Sequence, residues 1–287
     1  MKFRLATAQY DISFLHNWED YTTKIYRWVN EARTHDAKLL LFPEYFSMEL
    51  ASLFPPAVYQ DLGRQLVALQ SLHDAFLQLF SGLAQQQGVT IVAGTFPVRQ
   101  EDGRYTNRAW LFRPDGSRAF QDKQKMTRFE QEHWHISPGR ELQALDSDVG
   151  KLGICTCYDS EFPLLARELV RQGANLILVP SCTDGLAGYN RVRIGCQARA
   201  LENQCYVAQA ALVGEAAWSE AVDVNMGAAA VYTPVDYGYP VDGILSIGTL
   251  NQPQWVYADL DLAGLQQVRE HGQVRNYRDW SDYPLPN

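Results

Sequence analysis

The feature that most restricts the fold is an alternation, sustained along the chain, of short apolar runs and longer amphipathic stretches. The runs fall at residues 3–9, 38–42, 89–95, 109–113, 152–156, 176–179, 206–211, 228–232, 244–250 and 256–260. Their length and their content of branched and aromatic residues predict strands. Helical periodicity occupies 17–34, 59–87, 164–172 and 192–203. In 164–172, Leu165, Leu169 and Val170 fall on one face and Arg167 and Arg171 on another, the stripe of a helix lying on a layer beneath it. Strands and helices in this order predict an α/β protein whose sheets are covered by helices. The early strands are apolar almost without a break, as expected where both faces of a sheet are buried.

Neither repeats nor a linker rich in Gly, Ser or Pro interrupt the pattern, so 1–287 reads as a single domain. Hydrophobic residues make up 46% of the chain, enough for a large core. The formal net charge of −8 speaks against a nucleic-acid or anionic-membrane partner, either of which calls for a basic patch. No window approaches the roughly eighteen consecutive apolar residues of a spanning helix. The first run meets Asp11 before a signal-peptide core can form, and the expected compartment is the cytoplasm. Five cysteines (Cys155, Cys157, Cys182, Cys196, Cys205) in apolar contexts read as reduced thiols, not as a disulfide framework.

Cys157, in GICTCYDSEFP (153–163), follows one apolar run and precedes the helix opening at Phe162-Pro163. A thiol on such a turn sits near backbone N–H groups and a positive helix end, which favour a thiolate. Glu44 in LLLFPEYF and Lys123 in FQDKQKMTRFE also follow β-like runs ending near the same sheet edge. Two irregular stretches, 43–56 and 120–147, begin beside these residues and carry Tyr45, Phe46, Phe129 and Trp134, as substrate-enclosing loops would.

In order and separation, FPE with Glu44, KQKM with Lys123 and CYD with Cys157 resemble the nitrilase or carbon–nitrogen hydrolase superfamily, whose members use a Glu–Lys–Cys triad. The similarity continues through GANLILVPSCTD (173–184), RVRIGCQARALENQCYV (191–207) and the C-terminal strand pattern, so it spans essentially the whole chain. TRFE resembles the branch sometimes fused to an N-acetyltransferase domain. The resemblance implies a four-layer α-β-β-α sandwich and no cofactor. It also implies an amidase-like hydrolase acting on a small carboxamide, with CYD in place of the Cys-Trp-Glu more usual in true nitrilases. Alternatives are an N-carbamoyl hydrolase or a nitrilase, an acyltransferase using the same thioester, and a non-catalytic binding protein.

On this resemblance Cys157 is the nucleophile and Cys155 a core thiol, Glu44 the general base, and Lys123, rather than Lys125, the oxyanion partner together with the Tyr158 backbone N–H. A second glutamate would position the lysine and the attacking water. The TRFE context favours Glu130 and the spacing to Trp134 favours Glu132, with Glu130 preferred. Lys123 and Arg128 are candidates to receive a remote carboxylate of the substrate. His133 and His135 in EHWH raise a metal reading, but alternate loop residues make a poor tetrahedral cage and HExxH is absent. Cys155-x-Cys157 lacks a second cysteine pair, and no metal is expected. Arg191, Arg193, Arg199 and Glu202 are expected in surface or interface ion pairs, and family members associate near 191–203, which implies a homodimer or a higher even-numbered oligomer.

Overall fold

The computed structural model describes residues 1–280, so positions 281–287 of the expected single domain lie outside the described residues. The strands are β1 (Lys2–Asp11), β2 (Ala37–Leu41), β3 (Thr90–Arg99), β4 (Tyr105–Phe112), β5 (Arg118–Asp122), β6 (Ile136–Ser137), β7 (Leu145–Ser147), β8 (Gly150–Ile154), β9 (Leu176–Ser181), β10 (Tyr206–Glu215), β11 (Val224–Asn225), β12 (Ala230–Tyr232), β13 (Ile244–Ile247) and β14 (Gln254–Asp261). The helices are α1 (Trp18–Thr34), α2 (Pro56–Tyr59), α3 (Leu62–Leu69), α4 (His73–Gln87), α5 (Pro163–Arg171), α6 (Leu186–Asn203), α7 (Leu262–His271) and α8 (Asn276–Asp279). No helix among the described residues is long and apolar enough to cross a membrane.

The strands run β5-β4-β3-β2-β1-β10-β9-β8-β7, with β14 added to β1 and β12 to β10. β1 is the seam: it pairs with β2 in parallel and with β14 antiparallel, and meets β10 only from Gln9 to Asp11. Side-chain alternation builds the layers. Leu5, Leu39 and Leu41 join Leu152, Ile154, Leu176 and Leu178 in one buried cluster between the two halves of the sheet. The intervening Ala6, Ala8 and Leu40 face outward against Ile25, Val29, Leu83 and Phe80 of α1 and α4. On the other half Cys155, Ile177, Val179 and Val207 face Leu169, Val192 and Cys196 of α5 and α6. The result is the α-β-β-α sandwich.

Local chemistry sets the element ends. Asn17 caps α1 by accepting the Asp20 N–H, Glu19 and Asp20 occupy its first turn and Arg33 its last, each favourably placed on the helix dipole. The expected helix 59–87 is α3 and α4, separated by a 3₁₀ turn at Gln70–Leu72. α6 starts at Leu186, earlier than its apolar stripe, because Gly188 and Tyr189 are already buried. The stretch 43–56 is largely a 3₁₀ segment, Phe46–Leu53, and 120–147 contains the end of β5, a π-helical turn at Phe129–His133 and β6. β5 escapes an apolar-run reading because it is an edge strand, held by the Arg108 guanidinium on Asp122 (2.7 Å) and 3.6 Å over the Phe120 ring.

Candidate active site

β1, β2, β3, β10, β9 and β8 run parallel to their neighbours across the middle of the molecule, and the site sits where their carboxyl ends meet, the usual crevice of an α/β sheet. β2 ends at Leu41 and delivers Glu44, β8 ends at Ile154 and delivers Cys157, and β9 ends at Ser181 and delivers Cys182. β5 delivers Lys123, whose N–H donates to the Asn107 carbonyl and whose carbonyl accepts the Gly139 N–H. Two bends give these ends their direction. Tyr45 (φ 55°) and Cys157 (φ 48°) occupy the left-handed region, which costs a side-chain-bearing residue about 1–3 kcal/mol and concentrates at functional sites. Gly94 (φ 47°) lets β3 pass beneath the Glu44 turn, since a Cβ there would sit 2.0 Å from the Pro43 carbonyl.

The side chains converge on Lys123. Its ammonium donates to Glu44 Oε1 (2.8 Å) and to Glu130 Oε2 (2.6 Å), and all three residues are buried. Glu44 also accepts from Asn107 Nδ2 (2.8 Å) and from the Cys182 N–H (3.1 Å). Glu130 accepts from the Tyr45 hydroxyl (2.6 Å) and from both the N–H and the hydroxyl of Thr127 (2.9 Å each). The Cys157 thiol faces the Glu44 charge and approaches the Cys182 carbonyl at 3.5 Å. Losing one charge from so buried a set would strand the others, a cost of about 3–5 kcal/mol.

The electrostatics separate the two glutamates. Burial raises the Glu44 carboxyl above the ordinary carboxylate range; Lys123 opposes the rise and the Glu130 charge reinforces it. Burial acts on Glu130 too, but Lys123 and the Tyr45 and Thr127 hydrogen bonds outweigh it and hold Glu130 below that range. Burial pulls Lys123 down; Glu130 and Glu44 more than reverse this and keep it an ammonium. The expectation of a resting thiolate at Cys157 is corrected: burial and the facing Glu44 charge push the thiol well above its ordinary value, beyond what Lys123 can offset. The turn that carries Cys157 is a short 3₁₀ segment, Cys157–Glu161, rather than the start of α5, so the helix end lies away from the sulfur. The arrangement is a protonated thiol beside a carboxylate of raised proton affinity, with a fixed cation between that carboxylate and an ionised second one.

A cavity of about 740 Å³ opens over this cluster, walled by Tyr45, Phe129, Trp134 and Tyr158 and rimmed by Arg128, Asp184, Arg191 and Glu220. Glu130, not Glu132, touches Lys123; Glu132 is half exposed and pairs with Arg128 at 3.0 Å. Arg128 lies on the rim, 89% exposed, and Lys123 is enclosed by its carboxylates. Lys125 is exposed, with its ammonium 5.6 Å from the Phe162 ring. His133 stacks on Phe129, and among the described residues no group of three His, Cys, Asp or Glu side chains is arranged to hold a metal. Cys155 is fully buried behind the site. Arg191 does pair at the surface with Glu161 (3.4 Å). Arg199 corrects the expectation for that helix: it is buried, and while pairing with Glu202 it donates to the Ser160 carbonyl at 2.8 Å. Sequence reasoning missed Asn107, inside β4 with no motif around it, and took Asp159 only as part of CYD, without a structural role.

Comparison with known proteins gives one family. Residues 4–270 match the model described as Carbon-nitrogen hydrolase. The Bacillus subtilis (strain 168) protein named probable hydrolase YhcX is 33% identical over 276 residues, covering 96% of this chain but 53% of its own length, so this chain spans about half of that relative. The omega-amidase NIT2-B of Xenopus laevis is 26% identical, over 96% of this chain and 95% of its own. Among solved structures, Saccharomyces cerevisiae Nit3, a member of branch 10 of the nitrilase superfamily, superposes with a TM-score of 0.72 at 23% identity, over 94% of this chain and 93% of that one.

Proposed function

The chain belongs to the carbon–nitrogen hydrolase family, and within it we propose an amidase that cleaves a small polar carboxamide through a thioester on Cys157. The observation that carries this reading is the Lys123 ammonium held between Glu44 (2.8 Å) and Glu130 (2.6 Å), with the Cys157 thiol facing the glutamate of raised proton affinity. Cys157 Sγ attacks the amide carbon while its proton passes to Glu44. Lys123, with the Tyr158 N–H, receives the negative charge that develops on the substrate oxygen. Collapse breaks the C–N bond, and the proton held by Glu44 leaves with ammonia or an amine. Water positioned by Glu130 then gives its proton to Glu44 and attacks the thioester. The carboxylic acid departs and the thiol is restored. The resting thiol suits this sequence, because the proton is already in place for the leaving group.

The cavity volume and its Tyr45, Phe129 and Trp134 wall fit a small molecule better than a peptide, which needs an open groove. A nucleophilic thiol that stays reduced suits the cytoplasm, and we take the chain as one catalytic unit that associates as a homodimer or a higher even-numbered oligomer. The deciding assay gives the protein matched amide, nitrile and N-carbamoyl forms of one small acid and reads ammonia and acid together. Acid forms fastest from the amide. Faster release from the nitrile or the carbamoyl compound would replace this reading with the corresponding activity. Inertness towards all three, with transfer of the acyl group to an added amine, would make the protein an acyltransferase.

A further inference from the structure

Asp159 has no place in the chemistry above, yet it is 1% exposed and lies two residues beyond Cys157 on the same turn. Its carboxylate accepts four contacts from two different loops. The Gln124 N–H reaches both oxygens (3.1 Å each) and the Lys125 N–H reaches Oδ1 (2.7 Å), both from the loop that carries Lys123. The Thr156 N–H reaches Oδ2 (3.2 Å) from the loop that carries Cys157. Lys123 itself is pinned behind by Asn107 and Gly139. The backbone from which its ammonium reaches out is therefore held on the other side by Asp159.

We propose that Asp159 is a positioning residue that holds Lys123 in register with Cys157, and that it does so only as a carboxylate, so that one proton on it loosens the catalytic pair. An ionised carboxyl accepts from every donor around it; a protonated one turns an O–H towards an N–H and must give up the Lys125 contact on Oδ1 or the Thr156 contact on Oδ2. Burial, working against the groups that face it, makes this proton available near neutrality. Lys123 is the cation across from it, Cys155 lies behind it at the end of β8, and on α6 Cys196 and the Arg199–Glu202 pair pack against its turn. Burial outweighs the Lys123 ammonium and its backbone hydrogen bonds and pushes Asp159 up to about 7.

The proposal rests on Cys157 as the nucleophile but needs no substrate to be read. The measurement is the alkylation rate of Cys157 by iodoacetamide, mapped by peptide mass, from about pH 5.5 to about 8.5 in the full-length protein. A thiol that titrates high gives a rate rising tenfold per pH unit; in the wild type the rise is steeper below about pH 7, where Asp159 also loses its proton. In Asp159→Asn the break disappears and the rate at about pH 8 falls at least tenfold, as expected when a reacting pair is moved by a fraction of an ångström to an ångström. Thermal unfolding at the same pH separates positioning from packing. A carboxyl whose folded value is raised weakens the fold as pH climbs from the ordinary carboxylate value to the raised one, and the neutral amide escapes that penalty. The variant should thus be as stable as the wild type above pH 7 while reacting slowly. A break that persists in Asp159→Asn belongs to Glu44 and overturns the proposal, as does an unaltered rate. A wild-type profile with no break overturns it without any variant. Failure of every amide in the substrate assay would end the hydrolase reading and leave this result standing.

Discussion

Around Lys123 two chemically identical carboxyls are pushed in opposite directions, and the difference lies in the donors each receives. Glu130 takes a phenol, a hydroxyl and a backbone N–H besides the ammonium, whereas Glu44 shares the ammonium with fewer donors and faces the Glu130 charge. Pairs pushed apart in this way mark acid–base assignments. Glu130→Gln should therefore lower turnover by about 10² or more, while Glu132→Gln, changed on an exposed pair with Arg128, should lie within a few-fold of wild type. Steady-state kinetics on the best amide checks both; equal losses would remove Glu130 from the machinery. Lys123→Ala should cost at least a similar factor and Lys125→Ala far less, the reverse order showing the register across KQKM to be wrong by two. Cys157→Ala should abolish turnover and alkylation. Cys155→Ala should keep both and lose only about 1 kcal/mol or so of stability through a small cavity, read by denaturant unfolding. The residues of these tests were legible because motifs bracket them. Asn107 was not, and Asp159 was visible within CYD but its role was not, since what each does depends on loops distant in sequence closing on it.

The elements explain which parts of the fold could be read in advance. The inner strands are largely buried on both faces, so β1, β2, β3, β8, β9 and β10 carry apolar runs with few interruptions that announce them. β5 exposes half its side chains and is held by an ion pair, and α7 buries little beyond Leu265, Val268 and the Arg269 stem, so neither leaves a strong pattern. The 3₁₀ segment after Glu44 was equally silent, because its order comes from partners elsewhere: Glu49 accepts Lys24 of α1 at 2.8 Å and the Tyr10 hydroxyl of β1. The β3 irregularity at Gly94 shows how an element sets the site. Gly94→Ala places a methyl against the Pro43 carbonyl and the Phe46 ring in a backbone conformation that alanine disfavours. Strain alone should cost about 1–3 kcal/mol, and the collision adds to it. Thermal unfolding should show the loss, and kcat should fall more than KM rises because the displaced loop carries Glu44. An unchanged midpoint would mean that the Glu44 turn relaxes freely and does not depend on β3.

At the scale of the whole molecule, the outer face of the α5–α6 layer remains apolar where water should meet it. Leu164 is 56% exposed on α5, and Ile194 (65%) and Leu201 (44%), seven residues apart on α6, share one side of that helix. A second copy related by a two-fold axis would cover this face with itself, the isologous contact that closed dimers use. Burying Ile194 and Leu201 would contribute roughly 1.5–3 kcal/mol each. This layer is also wired to the chemistry: Gly195 lies so close to the Cys157 turn that a Cβ would sit 2.9 Å from the Ser160 carbonyl, and Arg199 donates to that same oxygen. Association through α6 would therefore stiffen the turn that aims the thiol. Light scattering at micromolar concentration should give a mass near twice 32.5 kDa, or an even multiple of it. Ile194→Asp, which leaves every residue of the cavity in place, should yield the monomer with reduced turnover. A wild-type protein that scatters as a clean monomer would remove the dimer. A monomeric variant with full activity would keep the dimer but cut its link to the site.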